Sequence, residues 1–210
     1  MVLYLHGARE STCTRRVAAV CKELGVPYEM KLVGWDKIKS PEHIAIQPFG
    51  QLPVLEDDGF FLYESRAIAR YITLKYGKGS TLIPPTSDLQ ALAKFEAAAS
   101  IEQSDFDPYA SVIVFEKIFK LGHGGATDET KVAELTEKLD MKLQGYNRIL
   151  AKSKYLAGDT LTLADLFHLP YGYMLQEATK SDLLQKYPNV ARWWNEVSSR
   201  PSWQAVKDGA

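Results

Sequence analysis

Apolar positions along the first third of the chain follow two periods in turn. Val2 to His6 is a short run of strand type, and Ser11-Thr12-Cys13-Thr14 then opens a stretch with Val17, Val20, Cys21 and Leu24 at helical spacing. Gly25 stops that helix and Pro27 follows two residues later. Tyr28, Met30 and Leu32 alternate with Glu29, Lys31 and Val33, the period of a half-buried strand. A strand, helix and strand this closely spaced are expected to make the two strands parallel neighbours.

Two further strands are expected at Val54-Leu55-Glu56 and Phe60 to Tyr63, joined by the hairpin signal Asp57-Asp58-Gly59. A helix runs from about Ser65 through Ile68 and Ile72 to Tyr76. Gly77, Gly79 and Pro84-Pro85 then break the pattern among Ser and Thr residues, which reads as a linker over 77–87. Everything beyond is helical. One long segment covers Asp88 to about Lys120, and Gly122-His123-Gly124-Gly125 separates it from a segment with Val132, Leu139, Leu143 and Leu150 on one face. The expected architecture is an α/β domain over 1–76 with the thioredoxin-like order βαβ-ββα, followed by an all-helical domain over 88–210.

Composition narrows the function. With 210 residues, 46% hydrophobic and 24% charged, the chain is of ordinary globular type. Its net charge is −1, and neither part is basic, so a phosphate-neutralising nucleic-acid surface is not expected. No apolar run approaches the ~18 residues of a membrane span and no signal-peptide core is visible, so the expected location is the cytosol. Cys13 and Cys21, on one helix, would stand about 12 Å apart, beyond disulfide reach.

Three places carry candidate chemistry. Ser11 stands at a helix amino terminus, where it is either a simple N-cap or a hydroxyl that, with free amides, stabilises an anion such as a thiolate. Pro53 enters a strand, compatible with a cis bond and a turn that offers the Leu52 amide and carbonyl to an extended peptide, or with an ordinary loop. Glu64 and Ser65 lie where a strand gives way to a helix. There an acid and a set of amides suit an amino-acid head group, or Ser65 caps the helix and nothing more.

Taken together, Ser11 with Thr14 and Arg15, the string Gln47-Pro48-Phe49-Gly50-Gln51-Leu52-Pro53 and the string Glu64-Ser65-Arg66-Ala67-Ile68 resemble glutathione S-transferases. Lys154 to Asp159 and Thr162-Leu163-Ala164-Asp165 resemble that family's helix-start signature. Lys39 to His43 and the serine at 11 are most similar to its phi class. The resemblance implies glutathione as co-substrate without a further cofactor or metal, small hydrophobic electrophiles as second substrates, and a homodimer. It makes Ser11 the thiol-activating hydroxyl and Gln51 and Leu52 the binders of the tripeptide backbone, with Pro53 as the cis-proline. Glu64 and Ser65 become the γ-glutamyl pair, and Lys39 a partner of the glycine carboxylate. One position departs: where phi sequences commonly carry histidine, this chain has Ile38, which donates no hydrogen bond.

The electrophile site is expected between the domains, with Phe115 and Phe119 at i,i+4 spacing and Trp35 as its candidates, against the alternative that the two phenylalanines are bundle core. Thr162 and Asp165 spell a capping box, a folding feature. Gly77 to Thr81 lacks the spacing of a phosphate loop, the four histidines show no metal-ligand spacing, and Trp193-Trp194 suits packing. Three functions are weighed: a transferase conjugating electrophiles, with peroxide reduction left open; a non-catalytic ligand-binding member of the fold; and a thiol transferase acting through Cys13. Helical geometry places Cys13 about 200° round from residue 11, on the wrong side for a sulfur held at Ser11.

Overall fold

Alternation along β1 (Leu3–Gly7) buries Leu3, Leu5 and Gly7, which suits a strand inside a sheet. The sheet has the order β2-β1-β3-β4, with β2 at Tyr28–Leu32, β3 at Val54–Asp57 and β4 at Phe60–Tyr63. β1 runs parallel to β2, with Leu3 opposite Tyr28, and antiparallel to β3, with Leu5 opposite Leu55; β3 and β4 form an antiparallel hairpin. Asp58 and Gly59 both take positive φ, 53° and 81°, the requirement of a tight two-residue turn. The structure is a computed structural model that describes residues 2–210, Ala178 by its backbone alone.

α1 (Thr12–Leu24) crosses between β1 and β2 as its spacing predicts, and carries both free cysteines. β2 lies at an edge, so Leu32, expected inward, is 64% exposed. The chain then forms a helix the pattern did not predict, α2 (Pro41–Ile46), which makes the order βαβαββα. Six residues are too few to display an apolar period. Its start signal is local instead: the Ser40 side chain accepts from the His43 N–H, and Pro41 opens the helix. α3 (Ser65–Tyr76) closes this part, its Ile68 and Ile72 buried with Val17, Val20, Val54 and Leu55.

The last eleven residues return to it. The Glu23 carboxylate on α1 accepts from Arg200 and Ser202 at the start of α11 (Pro201–Gln204), and those bonds hold its carboxyl below the usual range against the opposing effect of burial. The chain thus divides into one compact unit of Met1–Ile83 with Arg200–Ala210 and another of Pro84–Ser199. The helical part ends at residue 199 and not at 210, because an ion pair reaching back to residue 23 leaves no trace in local periodicity.

In the helical unit the expected first helix is continuous from Leu89 to Gly122 but not regular. α4 (Leu89–Ile101) and α5 (Asp107–Val114) are separated by a π-helical turn over Glu102–Phe106, and a second π turn over Phe115–Phe119 precedes α6 (Lys120–Gly122). The first widened turn precedes Pro108, whose ring crowds the carbonyl four residues back and which has no N–H to donate. In the second, the Thr127 hydroxyl takes the Glu116 carbonyl from outside the helix. α7 (Glu129–Leu150), α8 (Leu163–Phe167), α9 (Leu169–Thr179) and α10 (Pro188–Ser198) complete the unit.

Asp165 closes the expected capping box with Thr162 and also accepts from the Leu156 N–H and the Trp193 indole, fully buried. Trp193 and Trp194 are core residues. A Cβ on Gly172 would stand 2.5 Å from the Trp194 ring. Among the described residues no helix is long and apolar enough to cross a membrane.

Candidate active site

The first wall of the site is the start of α1. Ser11 has extended backbone, φ −66° and ψ 124°, and its Oγ accepts from the Thr14 N–H at 3.3 Å. A hydroxyl has one proton to give and two lone pairs to share. Capping uses a lone pair, and among the described residues the Ser11 hydroxyl donates its proton to none. The N-cap reading and the anion-stabilising reading are therefore compatible in one residue.

The second wall is the turn before β3. The Leu52–Pro53 peptide bond is cis. The buried His43 ring holds the Gln51 carbonyl at 2.8 Å, and the Gln47 side chain accepts from the Phe49 N–H at 2.7 Å. Gly50 sits at φ 58°, and a Cβ there would stand 2.6 Å from the Ile38 carbonyl, so this turn requires glycine twice over.

The third wall is the start of α3. Glu64, its N-cap residue, adopts φ 70° and ψ 103°, a strained conformation for a side chain with a Cβ, and makes no capping bond with its side chain. Strain of this kind gathers where a residue is held for a purpose other than folding. Ser65, buried at the first helical position, accepts from Arg16 Nη1 at 2.9 Å, and the same nitrogen donates to Cys13 Sγ at 3.4 Å. Two helix amino termini and a buried guanidinium give the site a positive bias suited to an anionic ligand.

The walls enclose a pocket of about 240 Å³, lined wholly by residues of the first unit. It brings together Ser11, Gln51, Leu52, Pro53, Glu64 and Ser65, with Ile38 and Trp35 also on its lining. Trp35 is half exposed, its indole N–H donating to Glu10 at 2.6 Å. Lys39 is not part of the lining; its ammonium donates to the Phe49 carbonyl at 2.7 Å. Phe115 and Phe119 belong to the helical unit, in its second π turn, where Phe115 is 47% exposed. Their spacing is therefore that of a widened turn and not of the α-helix the sequence implied.

Cys13 corrects the sequence-based geometry. It lines the same pocket as Ser11. The helical wheel failed because Ser11 is a cap with extended backbone, so counting 100° per residue from it has no meaning. Arg16, His43 and Gln47 support the walls without having been singled out. Gln47 and His43 lay inside quoted motifs without a role of their own, and Arg16 acts through contacts between elements.

Comparison with known proteins places the chain in a family. A model of the glutathione S-transferase N-terminal domain matches residues 10–74, and one of the C-terminal domain matches residues 104–201. The chain belongs to the glutathione S-transferase family. Glutathione S-transferase PM239X14 of Arabidopsis thaliana is 47% identical over 196 residues, 90% of this chain and 88% of the relative. Glutathione transferase F7 from Populus trichocarpa superposes with a TM-score of 0.93 at 36% identity, covering 98% of this chain and 97% of that one. Maize glutathione S-transferase I, solved with an atrazine glutathione conjugate, gives 0.91 at 34% identity over 99% and 97% of the two chains. Within the family this glutathione S-transferase is phi-like. Among its described residues no group of three or more His, Cys, Asp or Glu could hold a metal ion.

Proposed function

We propose that this glutathione S-transferase binds glutathione in the pocket of its first unit, holds the thiol as a thiolate with the Ser11 hydroxyl, and conjugates it to small hydrophobic electrophiles. The observation that carries the reading is Ser11 itself: a capping hydroxyl with its proton uncommitted, on the same pocket as Gln51, Leu52, Glu64 and Ser65. In this reading the Leu52 backbone and Gln51 take the peptide, while Glu64 and Ser65 take the γ-glutamyl head group. Lys39 donates one of its three N–H groups to the Phe49 carbonyl and has others to offer the glycine carboxylate. Trp35, on the lining of the same pocket, supplies apolar surface for the electrophile, in keeping with the maize relative's atrazine conjugate. We also read the chain as a cytosolic homodimer.

Magnitudes show what Ser11 contributes. A thiol of pKa ~8.5 is about 3% ionised at pH 7, and lowering it by ~2 units makes it roughly 75% ionised, for about 2.7 kcal/mol of differential stabilisation. With a Brønsted slope of ~0.45 the thiolate loses about eightfold in intrinsic reactivity, leaving a net gain near threefold. Placing the electrophile beside the sulfur must supply the rest of any acceleration.

Cys13 on the same pocket, with the Arg16 guanidinium against its sulfur, favours a second reading as a thiol transferase. One experiment separates the two. Conjugation of a chloroaromatic acceptor and ultraviolet titration of bound glutathione are measured in Ser11→Ala and Cys13→Ser. Ser11→Ala should raise the thiol pKa and lower turnover with glutathione affinity little changed, while Cys13→Ser keeps conjugation. An unchanged pKa in Ser11→Ala removes the serine from catalysis. Wild type without conjugation, and with a deglutathionylation activity that Cys13→Ser abolishes, selects the second reading.

A further inference from the structure

The turn that delivers Ser11, residues 8–11, is held by a guanidinium for which the sequence motif gives no role. Arg15 lies one turn into α1 and is buried. Its Nε donates to the Arg9 carbonyl at 3.3 Å, its Nη2 to the Glu10 carbonyl at 2.7 Å and its Nη1 to the Lys207 carbonyl at 2.8 Å. One planar fork therefore grips both central carbonyls of the turn and ties them to the last residues of the chain. Those residues grip back. The Ala210 N–H donates to the Arg9 carbonyl at 3.1 Å, and Arg9 Nη1 donates to the Ala210 carbonyl oxygen at 3.0 Å.

The Glu10 carbonyl belongs to the peptide unit whose nitrogen is that of Ser11. Holding it fixes the plane from which the Ser11 Cα departs. The Ser11 N–H to the Ala8 carbonyl at 3.1 Å, and the Arg15 N–H to the Ser11 carbonyl at 2.9 Å, complete the frame. Lysine offers a point charge on a flexible stem and has no fork with which to span three carbonyls.

We propose that Arg15, strapped to residues 207–210, is a positioning residue for glutathione activation: it fixes the peptide plane ahead of Ser11 and so aims the Ser11 hydroxyl at the thiol. The proposal rests on the role given to Ser11 above. It also gives the final four residues a part in catalysis without contact with substrate.

The test compares wild type with Arg15→Lys, a chain lacking residues 207–210, Arg9→Ala, Ser11→Ala and the double variant Ser11→Ala/Arg15→Lys. Turnover, the glutathione dissociation constant and the apparent pKa of the bound thiol are measured in each, with circular dichroism to establish folding. Arg15→Lys and the deletion should each lower kcat about tenfold or more and raise the bound thiol's pKa, with the dissociation constant moving less than about twofold, the signature of lost alignment. Arg9→Ala alters an exposed side chain and loses one strap bond, so it should move both readouts the same way by less, even if Arg15→Lys fails to fold. In the double variant Arg15→Lys should add nothing to Ser11→Ala. Wild-type kcat and thiol pKa in the deletion and in Arg9→Ala overturn the proposal while leaving the serine role intact. An equal further loss in the Ser11→Ala background overturns it too, since Arg15 would then act independently of the serine hydroxyl. If Ser11→Ala itself leaves the pKa unchanged, the serine role fails and this inference falls with it.

Discussion

Ile38 lines the pocket at the position where phi-class sequences commonly carry histidine, and its neighbour Lys39 lies off the lining, with one N–H on the Phe49 carbonyl. The proposed glutathione site is therefore short of a donor at that point. Ile38→His should supply one, and a charge-assisted hydrogen bond to a carboxylate is worth roughly 1.5–3 kcal/mol. Calorimetry should find the dissociation constant for glutathione lowered about tenfold or more. No gain would mean that the glycine carboxylate does not lie against residue 38. The positions of such residues were legible in sequence because they are locally marked: Ser11, Glu64 and Ser65 stand at helix starts, and Gln51 lies in the proline turn that leads into β3. Arg16 and Arg15 were not given roles, because what they do depends on Ser65 and Lys207, brought near only by folding.

Among the elements, those with several turns or alternations followed their apolar period, as β1, α1, α3 and α7 do. α2 is too short to have a period, and the π turns arise from Pro108 and from Thr127, neither of which alters the spacing of apolar residues. The second π turn also carries a test. Glu116, almost fully buried, accepts from Lys120 and Lys131 and from the Asp128 N–H that precedes α7. The Lys120 bond first, then the Asp128 amide, hold its carboxyl down at about 2. A folded value below the unfolded ~4.3 contributes stability that is complete above that pH. The contribution is lost as pH falls through the folded value, about 2. Glu116→Gln should be less stable than wild type at pH 7 in urea unfolding, and the gap should close between pH ~4.3 and about 2. A gap constant down to pH 2 would show that the carboxylate charge is not what ties the turn to α7.

For the whole molecule, the first unit leaves Phe49, Phe60 and Phe61 exposed on its surface. Phe60 and Phe61 are consecutive on β4 and face opposite ways, whereas Phe61 shares a face with Tyr63, against which Phe49 packs. Exposed rings on one face are what an association surface offers. We expect sedimentation to give twice the 23.5 kDa chain mass, and Phe49→Ser with Phe61→Ser to shift it toward the single chain. A wild-type chain that sediments at its own mass removes the dimer. The course of the polypeptide was the least legible feature, since the glycines and prolines at 77–87 mark where one unit is left and nothing marks the return at Arg200. That return sets an order of events during synthesis. The ribosome makes the sheet and its helices first, then the entire helical unit, and only then the segment that partners Glu23 and strands the Arg15 fork between two ends of the chain. The half-built first unit must wait through the translation of the second, so a nascent chain halted near residue 199 should remain protease-sensitive in its opening residues and become resistant once 200–210 emerge.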